Sequence, residues 1–191
     1  MSLRRAALAG LFLATPPLTA LADPYLGFDL DAAALDLAPG DPATYPQSLL
    51  GVGAHGGYRF DNFAGELGYS TVRGEMTPDN IRLNQLTLDG LYYVPVGGFL
   101  SLLFTGGAAD TNYGDSTFTT STYQANGTTK SVRQGNTVFG GNEFDWRAGA
   151  GLSFSLTDGY EVHFITRYQP LSMNRVANYQ LSLNVGVNFY F

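Results

Sequence analysis

The 191-residue sequence predicts an all-β fold: an eight-stranded antiparallel up-and-down transmembrane β-barrel with a polar interior and an apolar exterior that faces lipid. Three observations lead to this prediction. Apolar and polar residues alternate along eight segments, the connections between segments are alternately short and long, and charged residues keep to one face of the segments. A soluble β-protein, the alternative, has no reason to combine all three.

The alternation is clearest in the last segment, residues 178–191. Every second residue from Tyr179 to Phe191 is apolar or aromatic, and the residues between are mostly Asn, Ser, Gln and Gly. A period of two places the two sets on opposite faces of a strand. A membrane-spanning strand needs about 9–11 residues, so this segment is long enough. The same pattern predicts seven earlier strands at residues 25–35, 48–60, 63–72, 81–94, 99–109, 143–156 and 160–170.

The connections differ in length according to the side on which they lie. Three of them are short turns, at residues 61–62, 95–98 and 157–159, and the connections between these turns are longer, above all residues 110–142. Short turns at one end and long loops at the other are typical of outer-membrane barrels. An even number of strands also closes the sheet and removes its edges.

The charged residues of the predicted strands share one face with most of the small residues. An Arg or Lys that faces lipid at mid-depth costs about 2–4 kcal/mol, so this face is predicted to line the interior. Because acids and bases mix across neighbouring strands, we expect ion pairs there, such as Arg59 with Glu66, and Arg147 or Arg167 with Asp145, Glu161 or Asp89. Asp29 and Asp31 lie on the same face, and the predicted interior polar network comprises His55, Arg59, Glu66, Asp89, Asp145, Arg147, Glu161, His163 and Arg167.

The N-terminus has the pattern of a secretory signal peptide. Arg4 and Arg5 precede an apolar run, and Ala20-Leu21-Ala22 forms an A-x-A cleavage site. A buried N-terminal helix would have to contain Pro16-Pro17. We therefore expect residues 1–22 to be removed and residues 23–191 to form one barrel domain.

Three stretches resemble the OmpA/OmpX-like outer-membrane β-barrel superfamily: GYRFDNFAGELGYS at residues 57–70, the pair Arg167-Tyr168 and the terminal NVGVNFYF. The resemblance covers residues 23–191. It implies a polar plug of Arg and Glu inside the barrel, a bacterial outer-membrane location with both termini in the periplasm, and contact with outer-membrane lipid and lipopolysaccharide. It also implies that Phe191, with Phe189, is the signal read by the barrel-assembly machinery. The connection at residues 110–142 is longer than in the smallest family members.

Composition and motifs argue against several functions. The chain is acidic, with a net charge of −6, and has no cysteine, so neither nucleic-acid binding nor a disulfide framework is expected. Residues 51–56 spell G-x-G-x-x-G, but they lie inside a predicted strand instead of opening a helix, so no cofactor is expected. The spacing of acids around His55 and His163 does not resemble a metal site.

An enzymatic role is not expected either. Some small outer-membrane barrels modify lipid A through a Ser/His pair at the outer rim. The nearest candidate here, residues 167–172, has Ser172, but Pro170 stands where such a motif needs a histidine. The prediction is a non-enzymatic protein with a structural, envelope-integrity or adhesion role, contacting a host or surface ligand through residues 110–142. The alternatives are a narrow porin-like channel and, less favoured, a lipid A-modifying enzyme.

Overall fold

A computed structural model describes residues 22–37, 47–76, 79–114, 116–120, 135–139, 141–157, 159–171 and 177–191. Among these residues, no helix has the length and hydropathy needed to cross a membrane. The predicted signal peptide lies outside them, apart from Ala22. The strands are β1 (Asp23–Leu37), β2 (Gln47–Phe60), β3 (Phe63–Met76), β4 (Asp79–Gly97), β5 (Leu100–Asn112), β6 (Ser116–Thr120), β7 (Gly135–Phe139), β8 (Asn142–Thr157), β9 (Tyr160–Pro170) and β10 (Ala177–Tyr190).

Eight of these strands form the predicted closed antiparallel barrel, which confirms the fold class. Each of the eight pairs with the next along the chain, β5 pairs with β8, and β1 pairs with β10 from Tyr25↔Tyr190 to Leu37↔Ala177. The predicted boundaries agree closely with the observed ones. The main difference is β3, which was expected to stop near residue 72 and continues to Met76.

Two-residue turns connect the strands at one end of the barrel, which we call the turn end; the opposite end is the loop end. Phe60 pairs with Phe63, and Asp61 between them has a φ of 56°. Asp and Asn tolerate this left-handed conformation better than most residues, which explains the Asp61-Asn62 sequence. The turn predicted at residues 95–98 is displaced, because β4 continues to Gly97. Gly98, which has a φ of 54°, makes the turn instead.

The long fifth connection contains a hairpin that the sequence analysis did not predict. Strands β6 and β7 pair along their whole length, and Thr117 of β6 also pairs with Asn80 of β4. The hairpin therefore extends the barrel wall beyond the loop end of β4. Its residues are mostly polar, so no period-two apolar signal marks them as strands.

The outer face of the barrel is apolar. Aromatic pairs lie towards both ends of this face: Phe63 packs against Tyr92 near the turn end, and Trp146 packs against Tyr168 nearer the loop end, with ring centroids 4.7 and 5.8 Å apart. Tyr160 and Tyr168 lie roughly 26 Å apart along β9, at the usual rise of a strand. Because the strands of such barrels tilt by about 35–45°, this distance corresponds to roughly 20 Å of height, slightly less than the apolar band of about 25 Å in an outer-membrane barrel. The predicted outward face is confirmed.

The interior is polar in the middle and apolar at both ends. The turn-end cluster consists of Tyr25, Ala64, Leu91, Tyr93, Leu103 and Ile165. The loop-end cluster consists of Ala33, Leu35, Leu49, Val72, Ile81, Leu83, Tyr113 and Leu171. The sequence analysis did not predict these clusters. Near the ends of the strands the inward positions are apolar as well. The alternation there does not show which of the two apolar faces contacts lipid and which packs inside the barrel.

Candidate functional site: the polar network inside the barrel

The turn end of the network is centred on Glu161, which is 1% exposed. Its carboxylate accepts a hydrogen bond from Arg59 Nη1 at 2.6 Å and others from Tyr190 Oη and Asn188 Nδ2, both at 3.2 Å. The Arg59 guanidinium also lies 3.9 Å from the centroid of the Tyr93 ring. A charged pair with several donors and a cation–π contact satisfies an acid that would otherwise be costly to bury.

The expected Arg59–Glu66 pair is wrong, because Arg59 pairs with Glu161. The register of β2 and β3 places Gly57 opposite Glu66 and Arg59 opposite Ala64, one step nearer the turn end. Glu66 instead accepts a hydrogen bond from Tyr25 Oη at 3.0 Å and lies 4.0 Å from Arg167.

Arg147 and Asp89 form the predicted ion pair near the middle of the barrel. Arg147 Nε donates to Asp89 Oδ1 at 2.8 Å, and Arg147 Nη2 donates to Asp89 Oδ2. Such bidentate pairs are the strongest of the charge-assisted hydrogen bonds. Arg167 lies 3.9 Å from the same carboxylate.

On the loop side, amides carry the network onward. Arg167 Nη1 donates to Asn184 Oδ1 at 2.6 Å, and Asn184 Nδ2 donates to Asp31. Asp145 is half-buried on β8. Nearer the loop end, three buried glutamine side chains form a cluster in which Gln85 Nε2 donates to Gln169 Oε1 and Gln180 Oε1. This cluster lies beneath the loop-end cluster.

The two histidines meet at one acid. Asp29 Oδ2 lies 2.9 Å from His55 Nδ1, and Asp29 Oδ1 lies 2.7 Å from His163 Nε2. The sequence analysis placed these side chains inside the barrel without bringing them together. A glycine on the strand between them could have indicated this contact. Gly186 lies opposite both Asp29 and His163 in the register, and its missing side chain leaves space for the two to meet.

Residues 6–189 match the family described as "Outer membrane protein beta-barrel domain". The chain belongs to this family. No curated protein sequence matches it.

Solved structures show the same fold as this outer-membrane barrel. The crystal structure of Neisserial surface protein A is similar with a TM-score of 0.68 and 13% identity, over 89% of this chain and 99% of that one. Ail, the attachment invasion locus protein of Yersinia pestis, is similar with a TM-score of 0.54 and 11% identity, over 89% of this chain and 97% of that one. The family places the protein in the bacterial outer membrane.

The lumen of this outer-membrane barrel is filled by side chains. Two cavities lie within the polar network, each of about 20 Å³. A cavity of this size holds about one water molecule. The G-x-G-x-x-G stretch lies inside β2, as the alternation predicted, and its Gly51 and Gly53 face the crowded lumen.

The residues considered for catalysis and assembly have different surroundings. Arg167 belongs to the buried network, and Ser172 lies outside the described residues. Phe189 faces outwards and packs against Tyr160, with ring centroids 5.5 Å apart. Phe191 is 73% exposed, and its backbone N–H donates to the carbonyl oxygen of Pro24 at 3.2 Å.

Proposed function

We propose that this outer-membrane barrel is a non-enzymatic anchor that holds residues 110–142 at the cell surface for adhesion. The observation that carries the proposal is the extension of the barrel wall at the loop end. Beyond the lipid-facing Tyr69, β3 continues to Met76, and β4 begins at Asp79, where the hairpin joins it. A wall that continues past the membrane band gives the hairpin a rigid support.

The packed lumen supports an anchoring role over a transport role. Eight strands leave an interior just wide enough for side chains to fill. Here the bidentate Arg147–Asp89 pair occupies the middle of that interior, the Arg59–Glu161 pair lies against the turn-end cluster, and the loop-end cluster fills the opposite end.

The burial of the interior histidines supports a non-enzymatic role. Ser153 and His163 are cross-strand partners on β8 and β9, and they are the kind of pair that acyl transfer uses. Their residues are 1% and 3% exposed, so a lipid substrate has no access to them. A rim-site lipid A enzyme would need such a pair at the surface of the barrel.

The orientation is part of the proposal. Residues 1–22 direct export and are removed, both termini and the short turns lie in the periplasm, and the loop end faces outwards. Phe191 and Phe189 are read by the barrel-assembly machinery, and the outer face contacts lipid and lipopolysaccharide. An epitope inserted between Asp61 and Asn62 should be hidden from antibody on intact cells, whereas one inserted among residues 121–134 should be accessible.

The test of function is an adherence assay with a matched structural control. A strain without the gene is complemented with the wild-type chain, or with a variant in which a short Gly-Ser linker replaces residues 116–139. Both chains must show the heat-dependent gel shift of a folded barrel. We expect the variant to lose adherence to matrix-coated surfaces and to keep wild-type resistance to detergent. Equal adherence of both strains would contradict the adhesion role, and detergent sensitivity rescued by either chain would indicate envelope integrity instead.

A further inference from the structure

Three side chains from three strands converge inside the barrel: Asp29 of β1, His55 of β2 and His163 of β9. One potential ligand atom from each lies within 4.8 Å of the others. The side chains of both histidines are 3% exposed, and that of Asp29 is 12% exposed. Imidazole nitrogen and carboxylate oxygen are the donors that zinc and neighbouring divalent transition metals use in proteins.

The hydrogen bonds around His55 fix which of its nitrogens carries a hydrogen. Asn188 Nδ2 donates to Glu161 Oε1 at 3.2 Å, so the amide oxygen of Asn188 points at His55 Nε2, 2.6 Å away. Because that oxygen can only accept, Nε2 must donate. The other nitrogen of a neutral imidazole, Nδ1, then presents a lone pair towards Asp29 Oδ2 at 2.9 Å. Two acceptors at this distance repel each other, so the contact requires either a second proton on His55 or a cation close to both atoms.

This arrangement also matches a common feature of metal sites. A metal-bound histidine nearly always donates its other ring N–H to a carboxylate, a carbonyl or water, which fixes the tautomer and orients the ring. Asn188 does this for His55, and Glu161 in turn holds Asn188. The supporting partners of one ligand are therefore already in place.

The charge of the lumen also favours a bound cation. Carboxylates outnumber guanidinium groups in the described part of the lumen: Asp29, Asp31, Glu66, Asp89 and Glu161 face Arg59, Arg147 and Arg167. Protonation of both histidines would balance this excess, and a bound divalent cation would balance it if the histidines are neutral. Glu66 adds to the negative field at the histidines, because its Oε2 lies 3.7 Å from His55 Nε2.

From these observations we propose that Asp29, His55 and His163 bind one divalent transition-metal ion of the zinc class inside the barrel. The cavity of about 20 Å³ that borders Asp29 and His55 leaves room for one water as a further ligand. Glycine keeps the site open, because a Cβ on Gly186 would overlap Asp29 Oδ1 and lie 2.5 Å from His163 Nε2. No spacing in the sequence predicted this site, since its ligands come from distant strands.

The experiment uses two preparations of the mature chain. The first is purified from membranes in detergent, dialysed against a chelator and then incubated with Co²⁺. The second is refolded from denaturant into detergent with Co²⁺ present. The second preparation allows for slow entry of metal into a closed lumen. We expect one Co²⁺ per folded barrel, with visible d–d absorption that Zn²⁺ removes by displacement. If neither preparation binds Co²⁺ in this proportion, the imidazoles are held by protons alone and the proposal is wrong.

Variants connect the binding to these residues. His55→Gln and His163→Gln should each abolish the d–d absorption, and Asn188→Ala should weaken binding by about 10- to 100-fold. The control is Asp36→Asn, which changes an acid of the same strand on the face that alternates with Asp29 and Asp31; it should bind Co²⁺ as the wild type does. The heat-dependent gel shift identifies the variants that fold. Binding that persists in both folded histidine variants would place the metal elsewhere and overturn the proposal.

Discussion

At the scale of single residues, the polar network depends on glycines that lie between the partners. In four places, two interacting side chains come from the outer strands of a three-strand group, and the middle strand has a glycine at that level. The contacts are His55–Asn188 across Gly27, Tyr25–Glu66 across Gly57, Asp89–Arg147 across Gly107 and Asp29–His163 across Gly186. A Cβ at any of these glycines would occupy the space in which the partners meet.

Replacing one of these glycines should therefore destabilise the barrel. We expect Gly186→Ala to lower the free energy of unfolding by about 1–3 kcal/mol, the usual cost of overpacking a filled interior. The control is Gly106→Ala on the outer face, where a Cβ would meet nothing within 4 Å. That change should be neutral or stabilising by up to about 1 kcal/mol. Urea unfolding in detergent, followed by the fluorescence of the single tryptophan, Trp146, measures both; equal effects would contradict the spacing argument.

The Arg147–Asp89 pair gives a second prediction at this scale. Arg147→Met leaves the buried Asp89 carboxylate without its bidentate partner, and we expect it to lower the free energy of unfolding by about 3–5 kcal/mol. Adding Asp89→Asn should restore much of that loss, because no unpaired charge is left. Arg73→Met, the same change at an exposed position, should stay within about 0.5 kcal/mol of the wild type. The temperature at which the gel shift occurs compares the stability of these variants with that of the wild type. A mild effect of Arg147→Met would show that the barrel does not depend on the Arg147–Asp89 pair.

The sequence determined the face of each of these residues but not their partners. Alternation alone placed Arg59 and Glu66 inside, on neighbouring strands. The register then moves Arg59 one step towards the turn end, and the curvature of the barrel brings Glu161 of β9 within 2.6 Å of it. Contacts across a lumen depend on register and closure together, and neither can be read from a period of two.

At the scale of strands and hairpins, the same reasoning explains what was predicted and what was missed. Strands with lipid on one side and side chains on the other show strong alternation, so the eight barrel strands were found within a few residues of their bounds. No such alternation marks the end of β3 beyond residue 72, or the strands β6 and β7. A strand outside the lipid-facing band needs no apolar side, and its sequence can therefore resemble that of a loop.

The hairpin should be dispensable for folding. Among the described residues it pairs with the barrel at Asn80↔Thr117 alone, whereas β4 pairs with β3 and β5 along most of its length. We expect the chain with a Gly-Ser linker in place of residues 116–139 to keep its heat-dependent gel shift and to unfold within about 0.5 kcal/mol of the wild type. Loss of the gel shift would show that the hairpin helps to close the barrel between β5 and β8.

At the scale of the whole molecule, the protein is an inside-out barrel with a lumen closed in three layers. The polar middle was predicted from the confinement of charge to one face. The apolar clusters that cover it at both ends were not, because inward residues such as Leu35 and Leu83 have the same character as residues that face lipid. An ion crossing the barrel would have to pass the turn end, where the Arg59–Glu161 pair lies against the turn-end cluster, then the Arg147–Asp89 pair in the middle, and then the loop-end cluster.

These layers lie in series, so the barrier to ions is at least that of the most resistant one. We therefore expect the wild-type barrel in planar lipid bilayers to show no steady open-channel conductance, with a reconstituted porin as the positive control. Opening the polar middle alone, by Arg147→Ala with Asp89→Ala, should leave the barrel closed as well, because both apolar clusters stay intact and dry constrictions exclude hydrated ions. A steady conductance in the wild type would mean that the clusters separate in the membrane, and the narrow-channel function would then replace the anchoring role. A conductance confined to the double variant would instead identify the Arg147–Asp89 pair as the barrier and show that the apolar clusters are permeable.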